Sequence, residues 1–326
     1  MLYQRLASLL RIWESIKVAM LESDYEVVFH LLDKNRSKSI FISQFSTTSG
    51  TNSKFILYVK TLKLLIQQLK LKSNKTTIRD IYYKDVELYN KNQSNCKNIM
   101  VSIVEHSLSW SLKDDLLISA SQKGLLYGNG IIINGQKLDY SEDPFLIPID
   151  FNITYGTCAK YEKTLIIVVF EKEAIFKSFC NYIKIKGSLD SFENLVAITG
   201  KGFPDYLTKE FYQNLINTCS KKLRIVNLAF VDSDVFGINI MKNYHSPIDL
   251  VHAGVHLLEY TYGWLNITNR DFQLLQNFLI NNESSKYSRE LTRGMLLFKK
   301  CEMNLLPNDS INEYIIEKIE FYMNHK

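Results

Sequence analysis

The chain has 326 residues, 46% hydrophobic and 22% charged, with a formal net charge of +5. That length accommodates two domains of ordinary size, and 13 Gly with only 5 Pro exclude long Pro-rich or low-complexity linkers. The mildly basic balance is compatible with a polyanionic partner, and five scattered Cys without a Cys-x-x-Cys argue against a disulfide framework or a zinc site and fit a reducing compartment. Arg5, Arg11 and Glu14 interrupt the N-terminal apolar stretch, so it does not read as a signal-peptide core. No run of 18 apolar residues occurs, and no membrane span is expected.

Residues 2–21 carry Leu2, Leu6, Leu9, Leu10, Trp13, Ile16, Val18 and Met20 at mostly helical spacing. They predict an amphipathic helix whose stripe packs on its own domain or docks a partner helix. Residues 43–53 read as a polar loop, and a Leu/Ile/Lys helix follows over 54–70. Thr77 and Asp80 have capping-box spacing and open a helix expected over 77–89. Between Lys54 and Lys97, ten Lys/Arg stand against three acids, a local +7. Interleaved with Tyr, this charge suits a nucleic-acid backbone, or simply a solvated face. Helical segments around 99–110 and 113–120 come next, then a glycine-rich stretch over 124–135 that reads as a β-hairpin. Helix, helix, helix, hairpin is the order of a winged helix of the CAP-like kind, with the hairpin as wing. The stretch lacks a P-loop pattern, so no nucleotide site is expected there.

The domain boundary is expected near 150. Beyond it, 164–170, 195–199 and 225–231 read as strands, with a further strand near 257–262. A helix over 204–219 and closing helices at 269–281, 288–304 and 310–324 alternate with or follow them. The expected fold class is therefore α/β and α+β: residues 1–53 as an N-terminal helical segment and loop, 54–150 as a winged-helix DNA-binding domain, and 151–326 as a parallel-sheet domain with C-terminal helices.

All three strands end in polar chemistry: the first in Glu171, the second in Gly200-Lys201-Gly202, the third in Asp232-Ser233-Asp234. In a parallel sheet these ends share one edge, where ligands bind in open α/β folds. Three crowded carboxylates repel unless a cation sits among them, and a hard ion such as Mg2+ takes such oxygens. The same Asp-Ser-Asp also reads as a turn and helix cap. One Glu plus Asp-x-Asp on this strand–helix order resembles the Toprim pattern of topoisomerases and primases. His252 and His256 are four apart but lack a nearby third ligand, and Cys158 and Cys180 read as packed thiols.

Four motifs in order carry a resemblance: Thr77-Ile-Arg-Asp-Ile-Tyr-Tyr-Lys-Asp-Val-Glu-Leu-Tyr89, Val169 to Phe176, Thr199 to Asp205, and Val231 to Gly237. Together they resemble the type IIB topoisomerase A subunit family, whose eukaryotic meiotic branch is the double-strand-break transesterase (sporulation protein eleven). Lys123-Gly124-Leu125 resembles its wing region, and Met295 to Phe298 with Glu302 its C-terminal helix. Val235 stands where the family usually has Pro.

The resemblance implies a topoisomerase-like, Mg2+-dependent DNA transesterase that makes double-strand breaks to initiate meiotic recombination. Tyr83 is the implied nucleophile, forming a 5′-phosphotyrosine, with Arg79 on the phosphate and Tyr82 packing or orienting. Glu171, Asp232 and Asp234 are the implied Mg2+ ligands, and Lys201, Lys84, Lys75 and Lys123 the implied DNA contacts. Implied partners are double-stranded DNA, a second copy in a homodimer with shared active sites, a topoisomerase VI B-like subunit docking on residues 2–21, and accessory recombination proteins. The implied location is the nucleus, on chromosomes. Two other readings remain: an A subunit that relaxes DNA with an ATPase B subunit, and a DNA-binding remnant without catalysis.

Overall fold

The chain divides into two units, Met1–Ser121 and Gln122–Lys326, in the computed structural model. The structure describes residues 2–22, 27–32, 39–43, 51–71, 75–155, 164–186, 194–260, 262–281, 287–305 and 308–325. Cys158 and most of the polar loop expected at 43–53 lie outside the described residues.

In the first unit, α1 (Leu2–Glu22) is followed by the antiparallel pair β1 (Val28–Leu32) and β2 (Ser39–Ser43). Then come α2 (Thr51–Lys70), β3 (Thr76–Thr77), α3 (Ile78–Lys84), α4 (Gln93–Val101), α5 (Leu112–Leu116) and β4 (Ile118–Ser119). The stripe of α1 buries Leu9 and Ile16 in one core with Leu62, Leu65 and Ile66 of α2. Arg5 pairs with Asp115 at 3.0 Å and stacks over Trp110. α1 is therefore not a segment apart, because its apolar face belongs to this core. The helix expected over 77–89 ends at Lys84, where the Asp85 carboxylate accepts the Leu88 N–H and starts a separate turn at Glu87–Tyr89.

In the second unit, β5 (Leu125–Gly128), β6 (Ile131–Ile133), β7 (Gln136–Lys137), β8 (Phe145–Leu146) and β9 (Ile153–Tyr155) lead into β10 (Thr164–Phe170). The chain continues through α6 (Glu173–Lys186), β11 (Leu195–Thr199), α7 (Tyr206–Cys219), β12 (Arg224–Phe230), α8 (Val235–Lys242) and β13 (Val251–Gly254). It closes with β14 (Leu265–Asn266), α9 (Asn269–Asn281), α10 (Ser288–Leu297), β15 (Lys299–Lys300) and α11 (Asn308–His325). Six strands form one sheet in the order β13-β12-β10-β11-β5-β8. β10 runs parallel to both β11 and β12, and Phe170 sits level with Thr199 and Phe230.

The β-branched run of β10 explains its central place. Its alternate side chains feed two cores: Ile166, Val168 and Phe170 meet α6 and α11, while Leu165, Ile167 and Val169 meet α7 and α8. A strand buried on both faces reads as continuous apolar sequence, as this one does. Each fully buried side chain of this size contributes about 1.5–3 kcal/mol.

Three expectations are corrected. The stretch 124–135 is not a hairpin, and it lies in the second unit. β5 pairs with β11 and β8, whereas β6 pairs with β7 and β9. All four residues of β5 are buried, so its apolar sequence is satisfied inside the sheet rather than on an exposed wing. At Gly128 (φ +149°) a Cβ would lie 2.1 Å from the Leu195 carbonyl oxygen, which fixes glycine against the neighbouring strand. The boundary consequently lies at 121/122, not near 150. The strand expected at 257–262 is displaced to β13, and Leu257–Glu259 form a 3-10 turn.

Candidate active site

Tyr83 is set by the way α3 begins. Thr77 caps the helix: its hydroxyl accepts the Asp80 N–H at 3.1 Å, and the Asp80 carboxylate accepts the Thr77 N–H at 2.9 Å. The bonds from the Thr77 N–H and hydroxyl hold the Asp80 carboxyl below its usual range. Ile78, Ile81 and Tyr82 then face the core, so Arg79 and Tyr83 emerge together on the outer face, one turn apart. Tyr83 is 58% exposed, against 9% for Tyr82. The Arg79 guanidinium donates to the Tyr83 hydroxyl oxygen from Nε at 3.2 Å and from Nη2 at 3.1 Å. Tyr82 packs its ring against Tyr83 and Tyr89, with centroids 5.3 and 6.2 Å away.

The second unit brings the strand ends together. The Glu171 N–H donates to the Phe230 carbonyl at 3.1 Å, and the Gly202 N–H to the Glu171 carbonyl at 2.8 Å. The rim of β10, β11 and β12 is thus stitched by backbone. Glu171 Oε2 accepts the Asp232 N–H at 2.9 Å, across 61 positions of sequence. Asp232 Oδ1 accepts the Met303 N–H at 2.8 Å, and Oδ2 pairs with Lys172 Nζ at 2.9 Å. Lys172 also reaches Glu302 Oε2 at 3.2 Å. Asp234 is the N-cap of α8, its Oδ1 accepting from the Phe236 and Gly237 N–H groups. Val235 opens α8, the position where proline is favoured, so the valine keeps the turn.

The cap reading of Asp-Ser-Asp is realised at Asp234, and Glu171 is tied to the same turn through the Asp232 N–H. Burial, then the charge of Asp232, pushes the Glu171 carboxyl up to about 7. Burial also raises Asp232 and Asp234. Burial opposes the charge of Lys172, but its bonds to Asp232 and Glu302 outweigh this and hold its pKa above the usual value. In donor type and net charge the carboxylates fit a hard divalent cation, whose charge would relieve the crowding that raises Glu171. The side chains do not yet converge. Among the described residues no three His, Cys, Asp or Glu side chains stand together as a metal-holding group. Lys172 occupies one oxygen of Asp232, and the α8 cap occupies one of Asp234.

The four lysines differ. Lys75 is exposed. Lys84 donates to Gln68 Oε1 at 3.1 Å, Lys123 to the Phe203 carbonyl at 3.0 Å, and Lys201 pairs with Glu173 at 3.2 Å. His252 and His256 stack edge to face, centroids 4.4 Å apart, and His252 is buried, which lowers its pKa to about 4. Three residues around the carboxylates were not foreseen from sequence in these positions. Lys172 adjoins Glu171 inside the Val169 to Phe176 motif but was given no role there. Glu302 lies beyond the end of α10 rather than on a helix. Buried Glu290 accepts from the Ser233 hydroxyl at 2.8 Å and the Leu257 N–H at 2.6 Å, bracing the Asp-Ser-Asp turn.

Residues 165–319 match the family model for the Toprim domain of the topoisomerase 6 A subunit and Spo11, and residues 53–118 match the model "Type IIB DNA topoisomerase". The chain belongs to the family formed by Spo11 and the topoisomerase VI A subunits. It is 35% identical over 200 residues to the meiosis-specific protein SPO11 of Saccharomyces cerevisiae, covering 56% of this chain and 47% of that one. It is 28% identical over 245 residues to the human meiotic recombination protein SPO11, covering 71% and 56%. The A subunit of DNA topoisomerase 6 from Arabidopsis thaliana is 26% identical over 187 residues, covering 55% and 40%. The chain thus spans about half the length of these relatives. Among the described residues no helix is long and apolar enough to cross a membrane.

Proposed function

We propose that this protein is a DNA-cleaving transesterase that makes double-strand breaks to start meiotic recombination. The observation that carries the reading is the Arg79–Tyr83 pair: an exposed phenol whose oxygen is held by a guanidinium on the same face of a capped helix. A phenol is a weak nucleophile until its proton is removed or its developing charge is stabilised. Tyr83 Oη attacks the phosphorus of a DNA phosphodiester, and a new O–P bond forms as the P–O3′ bond breaks. The phenolic proton leaves to solvent, and the departing 3′ oxygen takes one up. The products are a 5′-phosphotyrosine and a 3′-OH, and the ester keeps the bond energy, so cleavage needs no nucleotide hydrolysis. Arg79 supplies two N–H donors to the phosphate oxygens and to the phenolate as it forms.

Glu171, Asp232 and Asp234 would hold Mg2+, which supplies charge stabilisation and orientation on the 3′ side of the break. Tyr83 belongs to the first unit and the carboxylates to the second. In this reading each active site is shared: Tyr83 of one protomer of a homodimer works with the carboxylates of its partner. Unit one, with its Lys/Arg-rich run between Lys54 and Lys97 and its helical segments, is the DNA-binding part, without the hairpin wing expected from sequence. Lys75, Lys84, Lys123 and Lys201 are DNA contacts that exchange their present partners for phosphate. A topoisomerase VI B-like subunit docks on α1, accessory recombination proteins complete the assembly, and the protein acts in the nucleus on chromosomes. The similarity to proteins named for meiotic recombination supports this choice.

The test is a denaturing gel for protein attached to DNA 5′ ends, with partners and Mg2+ supplied. Wild type gives an adduct and Tyr83→Phe gives none; no adduct from wild type would favour a binding module without catalysis. Mixing Tyr83→Phe chains with Glu171→Ala chains restores one composite site and nicks one strand. Mixed dimers that nick nothing while wild type cuts contradict sharing. The similarity to the A subunit of a topoisomerase 6 supports a second reading, in which the chain reseals DNA together with an ATPase partner. Relaxation of supercoiled DNA separates the two.

A further inference from the structure

We propose that Lys172 is the resident counter-cation of the carboxylate site and moves onto Glu302 alone when a divalent cation takes Asp232. The inference rests on the metal reading above and concerns how this chain keeps the site ready for it. The Lys172 ammonium lies 2.9 Å from Asp232 Oδ2, and the other oxygen of Asp232 is already committed to the Met303 N–H at 2.8 Å. A cation that ligates Asp232 through Oδ2 therefore competes directly with Lys172, since two positive charges cannot share one buried oxygen without strong repulsion. Lys172 cannot leave the rim, because its backbone directly follows Glu171 between β10 and α6. It has a second partner, however, in Glu302 Oε2 at 3.2 Å. The Asp232 side chain is 8% exposed and that of Glu302 is 35% exposed. Moving the ammonium toward Glu302 moves it toward water, where a flexible charged stem is well tolerated. Until then, the pair keeps a buried carboxylate from standing uncompensated.

The geometry gives opposite signs for the two partners. Removing the ammonium frees Asp232 and strengthens metal binding. Removing the charge of Glu302 leaves Lys172 with Asp232 alone and weakens it. The experiment is a Mn2+ titration of the full chain without DNA, read by electron paramagnetic resonance. Wild type is compared with Lys172→Met, Glu302→Gln and the double variant, and circular dichroism checks that each is folded. The expected results are affinity about fivefold or more tighter in Lys172→Met, severalfold weaker in Glu302→Gln, and a double variant matching Lys172→Met. A purely structural role for Lys172 would weaken binding in both single variants. Because Lys172→Met is the riskier variant to fold, the weaker binding expected of Glu302→Gln is an independent arm, and unchanged or tighter binding there overturns the proposal. If wild type binds Mn2+ and Lys172→Met binds no tighter, the counter-cation role is wrong while the metal reading stands. If no variant binds Mn2+, the metal reading itself fails, and this inference with it.

Discussion

Among single residues, Arg79 and Glu171 enter the proposed chemistry in different ways. Arg79 donates twice to the Tyr83 oxygen, so Arg79→Ala should cut adduct formation about 100-fold while leaving the fold intact. Initial rates of covalent-complex formation check this, and Arg79→Lys should recover only part, lacking the two-pronged geometry. Glu171 has its pKa raised from 4.5 to about 7 by burial and by Asp232. The unfolded chain loses the Glu171 proton first as pH rises, so the stability tied to this group is full below about 4.5 and is lost on rising through about 7. Glu171→Gln removes that loss. In metal-free buffer the variant should gain on wild type by on the order of 1 kcal/mol between about pH 4.5 and 8, seen in urea unfolding at several pH values. A difference that does not change with pH contradicts the assignment. Tyr83 and Arg79 were legible in sequence because four positions on a helix are one turn. Lys172 with Glu302 was not, because those partners lie 130 positions apart and only the fold joins them.

Among the elements, the turn between β12 and α8 is the most constrained part of the site. A Cβ at Gly237 would lie 2.3 Å from the Asp232 carbonyl oxygen. Gly237→Ala must therefore push the Asp232 backbone aside, costing about 2 kcal/mol and loosening the Asp232–Met303 and Asp232–Lys172 bonds. Chemical denaturation and a lower Mn2+ affinity measure the two effects; unchanged values for both would contradict the packing argument. The parallel strands were readable because apolar runs buried on both faces leave few alternatives. The stretch after Gly124 misled for the same reason. A short apolar run flanked by glycines has one pattern whether it forms a wing or an inner strand, and only its pairing with β11 decides. The capping box at Thr77 was legible, but the end of α3 was not, since Asp85 begins a new turn by a local side-chain bond that periodicity does not encode.

For the molecule as a whole, the division at 121/122 assigns β5 and β8 to the sheet that carries the carboxylates. A fragment of residues 122–326 should be soluble and unfold cooperatively. A fragment of 151–326 lacks β5 and β8, exposes the edge of β11, and should aggregate or melt at a lower temperature. Equal melting of the two fragments would contradict the placement of β5. The tyrosine and the carboxylates lie in separate units, and in the proposed reading the breaking of DNA is shared between two protomers. Everything in the proposed chemistry turns on Tyr83 becoming joined to DNA. Mass spectrometry of nuclease-trimmed, protease-digested adducts identifies the joined residue itself. The expected product is a nucleotide joined through its 5′ phosphate to the peptide containing Tyr83. Attachment at another residue, or through a 3′ phosphate, would contradict the proposed mechanism.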